Sequence, residues 1–204
     1  MSELTEVETI AFGPLQIAFD QRVLRPRPWT AAQSGWAAEL IAQAPAGPIL
    51  ELCAGAGQIG LLAVVGSGRR LVCVDVDPAA CAFARRNARA AGLADLVEVR
   101  EGAVDEVLGD DERFAVVIAD PPWVRHSDVG RYPEDPLRAI DGGPDGVALA
   151  RTCVDVARRH LRPDGSVLLQ LGTAQQVDLL DTDGLTVAEI RAYPRGVLVR
   201  LDLA

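Results

Sequence analysis

One strand–turn–helix unit limits what this chain can fold into more than any other part of it. The apolar strand Pro48–Cys53 runs into the glycine-rich turn Ala54–Gly60, and Leu61–Val65 continues as a helix. Gly55 and Gly57 let the backbone approach a ligand closely, and the N-terminus of the helix presents free N–H groups to a carboxylate or phosphate. The unit therefore predicts an α/β fold with a ligand site at the carboxyl end of the strand.

Acidic residues near the ends of the first two strands narrow the choice of ligand. Asp75 ends the second strand, Arg70–Asp75, where a carboxylate can bind the hydroxyls of a ribose. Asp77 precedes Pro78, a pair typical of the cap and first position of a helix. Glu51, just ahead of the glycines, suits a cationic amino-acid group and suits a pyrophosphate poorly. Two ligands stay open, a nicotinamide dinucleotide and a nucleoside bearing such a cationic group, and Glu51 favours the second.

The stretch Ile118–Trp123 joins an apolar strand to an acid, two prolines and an aromatic ring. Pro121 and Pro122 fix their φ angles and carry no N–H, so the carbonyls of the turn lack a local donor and can accept from a ligand. Asp120 adds a further acceptor, and Trp123 adds a flat apolar wall. We therefore predict a slot for a planar group whose NH₂ donates both of its N–H bonds. The alternative is an ordinary turn at the end of a strand.

Several segments, taken in order, resemble those of HemK/PrmC-type protein-glutamine methyltransferases. The resemblance runs from about residue 20 to the C-terminus and rests on Leu24–Thr30, Glu51–Gly57, Val74–Pro78, the turn at Asp120 and Asp141–Gly146. It implies a class I methyltransferase fold that uses S-adenosylmethionine, with the Pro-Pro turn holding the amide nitrogen of the acceptor. It also assigns catalytic residues, which are Asp120, Pro121, Pro122 and Trp123. The cofactor-binding residues that we expect are Glu51, Gly55, Gly57, Asp75, Val76, Ala103, Val104 and Asp120.

The chain departs from the family pattern at positions that bear on the acceptor. The turn begins with Asp120 where the family usually has Asn, and Trp123 stands where it usually has Tyr. This version is similar to that of adenine N-methyltransferases, so a protein glutamine, a small molecule and a nucleic-acid base all remain candidate acceptors. Ala103 replaces a family carboxylate near the adenine, and the backbone of Ala103 and Val104, or the side chain of Asp105, would take its place.

Two functions of other classes also remain open. A nicotinamide-dependent oxidoreductase would use the same glycine turn and Asp75 but would leave the Pro-Pro turn unexplained. A non-catalytic subunit that works with a small partner protein would explain the departures at Ala103 and Asp120. Only 53 residues precede the glycine-rich turn, so we expect that a release factor is not bound in the way usual for the family.

The order of the remaining elements predicts a single-domain, doubly wound Rossmann-like α/β fold. Its sheet is mostly parallel and seven-stranded, with a C-terminal antiparallel hairpin that turns at Tyr193–Gly196. A chain of 204 residues, 49% of them hydrophobic, suffices for one buried core. We divide it into an N-terminal extension, residues 1–45, that packs on a methyltransferase domain, residues 46–204. The irregular loop Arg125–Gly146 follows the predicted slot and suits a lid or specificity element, or else a solvated excursion.

Charge and composition limit the partners and the compartment. The net charge of −9 argues against duplex nucleic acid, so we expect a protein or small-molecule acceptor. The acidic start Met1–Glu6 and the lack of a long apolar run predict a cytoplasmic protein without a signal peptide or membrane span. Four cysteines without C-x-x-C spacing and only two histidines predict buried free thiols and no metal site.

Overall fold

The computed structural model of the protein describes residues 6–204. Residues 1–5, which supply most of the acidic start, lie outside the described residues. The strands are β1 (Glu8–Phe12), β2 (Leu15–Phe19), β3 (Ile49–Leu52), β4 (Leu71–Asp75), β5 (Val97–Glu101), β6 (Phe114–Ala119), β7 (Leu161–Leu171), β8 (Leu185–Tyr193) and β9 (Gly196–Leu203). The helices are α1 (Ala31–Gln43), α2 (Gln58–Val64), α3 (Pro78–Ala90), α4 (Leu137–Ile140), α5 (Ala148–His160) and α6 (Ala174–Val177).

Seven strands form one sheet in the order β5-β4-β3-β6-β7-β9-β8. The pairs from β5 to β7 are parallel, and β9 pairs antiparallel with both β7 and β8. Tyr193 pairs with Gly196 across a two-residue turn. The structure thus confirms the predicted mostly parallel sheet with its C-terminal hairpin. Within residues 6–204, none of the helices combines the length and the apolar character that crossing a bilayer requires.

Both faces of the central strands are covered, which explains why β3 and β6 are apolar throughout except for Glu51. Every residue of β3 and β6 is buried. One face packs against α1, α2 and α3, through side chains such as Trp36, Ile59 and Phe83. The other face packs against α5 and α6, through side chains such as Val154 and Val177. Because β4, β3 and β6 are parallel neighbours, their carboxyl ends lie side by side, where an open α/β sheet binds its ligands.

The chain before β3 adds an antiparallel hairpin, β1–β2, to the face that carries α3. Asn87 of α3 is buried, and its Oδ1 accepts from the Ala18 N–H at 2.8 Å while its Nδ2 donates to the Ala18 carbonyl at 2.9 Å. The second Nδ2 proton goes to the Ala56 carbonyl at 2.9 Å, inside the glycine-rich turn. The Asn87 side chain thus fixes both the hairpin and the turn. The chain that follows β2 then crosses the end of the sheet.

Two segments combine turn-like sequence with regular structure. β7 begins at Leu161 and includes Pro163–Gly165, whose composition is typical of a turn and which forms a bulge where the pairing with β6 shifts register. Asp164 sits in this bulge with φ of 61°, a left-handed conformation that a turn also uses, so the local sequence signal is the same. The loop Arg125–Gly146 contains a 3-10 helix, His126–Arg131, and the single turn of α4.

Candidate active site

Two cavities open at the carboxyl ends of the central strands. The smaller, of about 320 Å³, lies over the glycine-rich turn and the end of β4. The larger, of about 930 Å³, lies over the ends of β6, β7 and β9. Both are lined by Leu24, Asp120, Pro122 and Ala139. The two cavities therefore meet at the Pro-Pro turn, and one side chain there can face the contents of both.

The backbone of the glycine-rich turn is left-handed at three positions. Gly55 has φ of 54° and Gly57 of 81°, where glycine is favoured, whereas Cys53 takes φ of 59° with a side chain. A Cβ on Gly55, which lines the smaller cavity, would meet no protein atom within 4 Å. Gly57 lies behind the cavity, and a Cβ there would come within 3.3 Å of Ala84 and Leu61. The turn thus keeps its ligand-facing side free of side chains and packs its other side against α3.

Asp75 lies at the tip of β4 on the wall of the smaller cavity. Its Oδ2 accepts from the Gly55 N–H at 2.7 Å, and its Oδ1 accepts from the Asp77 N–H at 2.9 Å. Burial raises the pKa of this carboxyl group above its usual value of 3.8. Asp77 caps α3 as predicted, because its side chain accepts from the N–H groups of Ala79 and Ala80.

Glu51 differs from its predicted place. Its side chain points away from the cavity toward α2, where Oε1 accepts from the Gly60 N–H at 2.9 Å and Oε2 accepts from the Cys73 thiol at 3.3 Å. A Cβ on Gly60 would lie 2.4 Å from Oε2, so that glycine makes the room for this contact. Burial raises the pKa of Glu51 to about 7. Glu51 therefore supports the turn from behind and does not line the cavity.

The other residues predicted to bind the cofactor line the smaller cavity. Val76, Ala103 and Val104 form part of its walls, together with Leu149 of α5. Other residues of the wall were not predicted from the sequence, among them Gln58, the first residue of α2, and Arg22 and Val23, which precede the segment Leu24–Thr30. A polar residue directly after the glycines was an available signal for Gln58, whereas nothing local marks Arg22 and Val23.

The predicted slot residues come together at the larger cavity. Asp120, Pro121, Pro122 and Trp123 all line it, and Asp120 and Pro122 also reach the smaller one. Burial raises the pKa of Asp120 to about 7. Its carboxylate and the Pro121 carbonyl have no hydrogen-bond partner within residues 6–204. In the described part of the chain, the Asp120 carboxylate thus lies without a partner at the junction of the cavities, and Pro121 lies on the wall of the larger one.

Trp123 owes its position to contacts with the residues that follow β7. Its ring lies so close to Gly172 that a Cβ there would come within 2.4 Å of the indole. Gln176, which is buried, donates to the Trp123 carbonyl at 2.9 Å and the Gly146 carbonyl at 3.2 Å. Its Oε1 accepts from the Gly172 N–H at 2.8 Å. The Asp141–Gly146 stretch and α6 therefore fix the position of the Pro-Pro turn through these contacts.

Several known proteins are similar to this chain in sequence. A family model described as "Methyltransferase small domain" matches residues 35–132. The release factor glutamine methyltransferase of Mycobacterium leprae is 31% identical to this chain over an alignment 215 residues long. The alignment covers 95% of this chain and 72% of that protein. The chain belongs to the HemK/PrmC-type methyltransferase family. The ribosomal protein uL3 glutamine methyltransferase of Bradyrhizobium diazoefficiens is 30% identical over 84% of this chain and 57% of that protein.

Solved structures agree on the fold. An RNA methyltransferase from Salinibacter ruber, in complex with S-adenosyl-L-homocysteine, matches with a TM-score of 0.58 at 20% identity. The match covers 87% of this chain and 92% of that one. Family membership decides between the two predicted cofactors: S-adenosylmethionine is confirmed, and the nicotinamide alternative is set aside.

The smaller cavity fits the methyl donor of this family. Gln58 Oε1 is buried there without a hydrogen-bond partner within residues 6–204, and an unsatisfied acceptor suits an ammonium group. Asp75 and Asp120 add carboxyl groups to the same walls, and carboxylates favour a cationic ligand. Val76 and Val104 offer apolar surface for a flat base. The cavity thus combines what an amino-acid group, a ribose and an adenine each require.

Substitutions at Asp75 and Asp77 should separate donor binding from helix capping. Asp75→Ala should weaken donor binding by about 1.5–3 kcal/mol, the usual worth of hydrogen bonds to a charged group. Asp77→Ala should lower the free energy of unfolding by about 1 kcal/mol through loss of the cap, with donor affinity nearly unchanged. Calorimetric titration with S-adenosylhomocysteine and denaturant unfolding measure the two effects. Exchanged phenotypes would reverse the two assignments.

Gly172→Ala should displace the Trp123 ring, because the new methyl group would overlap the indole. We expect the acceptor KM to rise by about tenfold, the scale of one lost aromatic contact, while donor affinity stays within twofold. Steady-state kinetics and donor titration measure these quantities. Gly35→Ala, on the exposed side of α1, is a suitable control, since a Cβ there meets no atom within 4 Å. An unchanged KM in Gly172→Ala would mean that Trp123 does not form a wall of the acceptor site.

Proposed function

We propose that this protein transfers a methyl group from S-adenosylmethionine to the side-chain amide nitrogen of a glutamine in a protein acceptor. The observation that carries the proposal is the meeting of the two cavities at Asp120 and Pro122. The relatives support the choice of acceptor, because their names describe methylation of glutamine in a release factor or in ribosomal protein uL3.

The smaller cavity would hold the donor. Asp75 binds the ribose hydroxyls with the lone pairs left over from its bonds to Gly55 and Asp77. Gln58 accepts from the amino group, and Gly55 lets the backbone lie against the methionine portion. Val76 and Val104 enclose the adenine, next to the backbone of Ala103. S-adenosylmethionine supplies a methyl carbon on a sulfonium, whose C–S bond breaks with its electron pair going to sulfur.

The turn would orient the acceptor. An amide nitrogen is a weak nucleophile because its lone pair is delocalised, so positioning has to supply much of the rate. Asp120 and the Pro121 carbonyl accept the two N–H bonds, which aims the nitrogen at the smaller cavity. Pro122 keeps the turn rigid, and Trp123 provides the flat wall.

Asp120 would also manage charge and the departing proton. Its carboxylate stabilises the positive charge that develops on nitrogen when the new N–C bond forms. A carboxyl group with a pKa of about 7 is well matched to take up the N–H proton near neutral pH. An Asn in this place, as in most of the family, offers the same carbonyl geometry without that capacity.

The compartment and the lid complete the proposal. All four cysteines are free thiols, and three of them are buried, which suits the reducing cytoplasm. Leu24, Arg27 and the segment Arg131–Asp135 line the larger cavity, and the Arg27–Asp135 ion pair at 2.5 Å joins the chain after β2 to that segment. We assign the loop Arg125–Gly146 the role of a lid that encloses the acceptor, and a protein partner presents the glutamine to it.

A transfer assay with defined acceptors tests the proposal. Purified protein and labelled donor are incubated with peptides that carry glutamine, asparagine or glutamate at one position, and with adenine-containing single-stranded oligonucleotides. We expect label in the glutamine peptide, with fragment masses that place the methyl group on the side-chain nitrogen. Label in the oligonucleotide with none in any peptide would instead support the adenine acceptor that Asp120 and Trp123 resemble.

A further inference from the structure

A carboxamide acceptor needs more from its site than the turn can supply. It carries two N–H donors and one carbonyl acceptor. Asp120, when ionised, and the Pro121 carbonyl are acceptors only, so they satisfy the nitrogen and leave the carbonyl without a donor. A buried carbonyl without a hydrogen bond costs free energy, so a complete acceptor site has to contain a donor for it.

Gln170 has the chemistry and the place for this task. It lies one residue before the carboxyl end of β7, the strand next to β6, and it lines the same cavity as the turn. Its neighbours Leu168, Leu169 and Leu171 are completely buried, and Gln170 itself is 7% exposed. Within residues 6–204, its side chain makes no hydrogen bond, and its amide atoms are not among the buried side-chain atoms that lack a partner, so they open to the cavity. A polar side chain that lines a cavity and has no protein partner is free to bind a ligand there.

The arginines and the threonine of the cavity are less suited to the task. The Arg27 guanidinium is bound to Asp135 and that of Arg131 to Asp128, and the Thr30 hydroxyl donates to the Arg27 carbonyl at 2.8 Å. Arg195 stacks on the Trp29 ring at 4.6 Å, and Trp29 is itself 38% exposed at the rim. A guanidinium would also attract a carboxylate as readily as a carboxamide, whereas an amide group matches an amide on both sides.

We propose that Gln170 is a specificity-determining residue that recognises the acceptor carboxamide, its Nε2 donating to the acceptor carbonyl. This inference rests on the proposed function, because it assigns the carbonyl half of a site whose nitrogen half is Asp120 and Pro121. Acceptors without a carbonyl in this place leave Gln170 unsatisfied, and sites built around a hydrogen bond reject such analogues strongly.

A binding cycle between the side chain and the acceptor tests the inference without catalysis. The protein is saturated with S-adenosylhomocysteine, and fluorescence anisotropy measures its affinity for a labelled glutamine peptide and for the same peptide with methionine at that position. The wild-type protein should prefer the glutamine peptide by about tenfold or more. Gln170→Leu, of similar size, should reduce this preference to the part that Asp120 and Pro121 supply, and should keep its affinity for S-adenosylhomocysteine within twofold.

Gln170→Glu provides a second variant, because it keeps the shape and replaces the donor by an acceptor. It should bind the glutamine peptide more weakly than Gln170→Leu does and should raise the KM for that peptide. A preference for glutamine that is undiminished in both variants, while the wild-type protein methylates the glutamine peptide, overturns the inference and leaves the proposed function intact. If the wild-type protein binds the donor product but methylates no glutamine peptide, the proposed function fails first and the inference falls with it.

Discussion

Asp120→Ala should lower methyl transfer about 10²-fold or more, the usual effect of losing one preorganised electrostatic contact. Donor affinity should change little, because Asp75, Gln58 and the glycine-rich turn remain. Steady-state kinetics with a glutamine acceptor and calorimetric titration with S-adenosylhomocysteine measure the two quantities. Equal losses in both would mean that Asp120 serves the donor and not the acceptor.

Asp120→Asn is the matched control, because it keeps the carbonyl geometry and removes the charge. It should retain substantial turnover with a glutamine acceptor, because the Asn carbonyl still accepts an N–H bond and orients the nitrogen. Full activity in both Asp120 variants would contradict the slot.

The pH dependence of the two proteins should differ as well. With the pKa of Asp120 at about 7, wild-type transfer should rise with pH through neutrality as the carboxylate forms. The rise should flatten in Asp120→Asn. Glu51 has a pKa of about 7 too, so any limb that remains in this variant belongs to Glu51 and the turn it supports. An unchanged profile in Asp120→Asn would exclude Asp120 as the titrating group.

Stability gives an independent measure of the same titration. Folding raises the pKa of Asp120 from 3.8 to about 7, so the folded state holds this proton more tightly than the unfolded state does. The resulting stabilisation is complete below pH 3.8 and is lost as the pH rises to about 7. Asp120→Asn carries no charge to desolvate, and its free energy of unfolding at pH 8 should exceed that of wild type by about 1–3 kcal/mol. Denaturant unfolding without ligand at pH 4 and pH 8 measures this difference.

Gly57→Val should abolish measurable donor binding, with a loss of affinity of about 10²-fold or more. Gly57 has φ of 81°, which a β-branched residue adopts only with strain, and its Cβ would press on Ala84 and Leu61. The turn would then shift away from α3 and close the space at Gly55. Gly66→Val, at a φ of 72° in open space, controls for backbone strain alone. Unchanged donor affinity in Gly57→Val, in a protein that still folds, would mean that the turn does not bind the donor.

Much of the fold and of the donor site could be predicted from local sequence patterns. Asp77 with Pro78 predicts the start of α3, and the position of Asp75 at a strand tip follows from the apolar run before it. The order of strands and helices predicts the parallel sheet. These features depend on neighbours in sequence, so a sequence pattern is enough to find them.

Other features depend on contacts that no local pattern contains. Glu51 faces α2 because side chains alternate across β3, and the space that receives it exists only because residue 60 is a glycine. The hairpin β1–β2 is held by Asn87, 69 residues away from Ala18. Only the tertiary structure shows that the carboxamide of Gln170 has no hydrogen-bond partner among the residues that the structure describes. The sequence shows no more than one polar residue near the end of an apolar strand. Each of these required the tertiary structure.

The most direct test of the account is a crystal structure with S-adenosylhomocysteine and a glutamine peptide bound together. The account predicts the donor product over Gly55 and Asp75, and the glutamine nitrogen within hydrogen-bond distance of both the Asp120 carboxylate and the Pro121 carbonyl. A peptide bound away from the Asp120–Trp123 turn, or a donor product outside the smaller cavity, would contradict it.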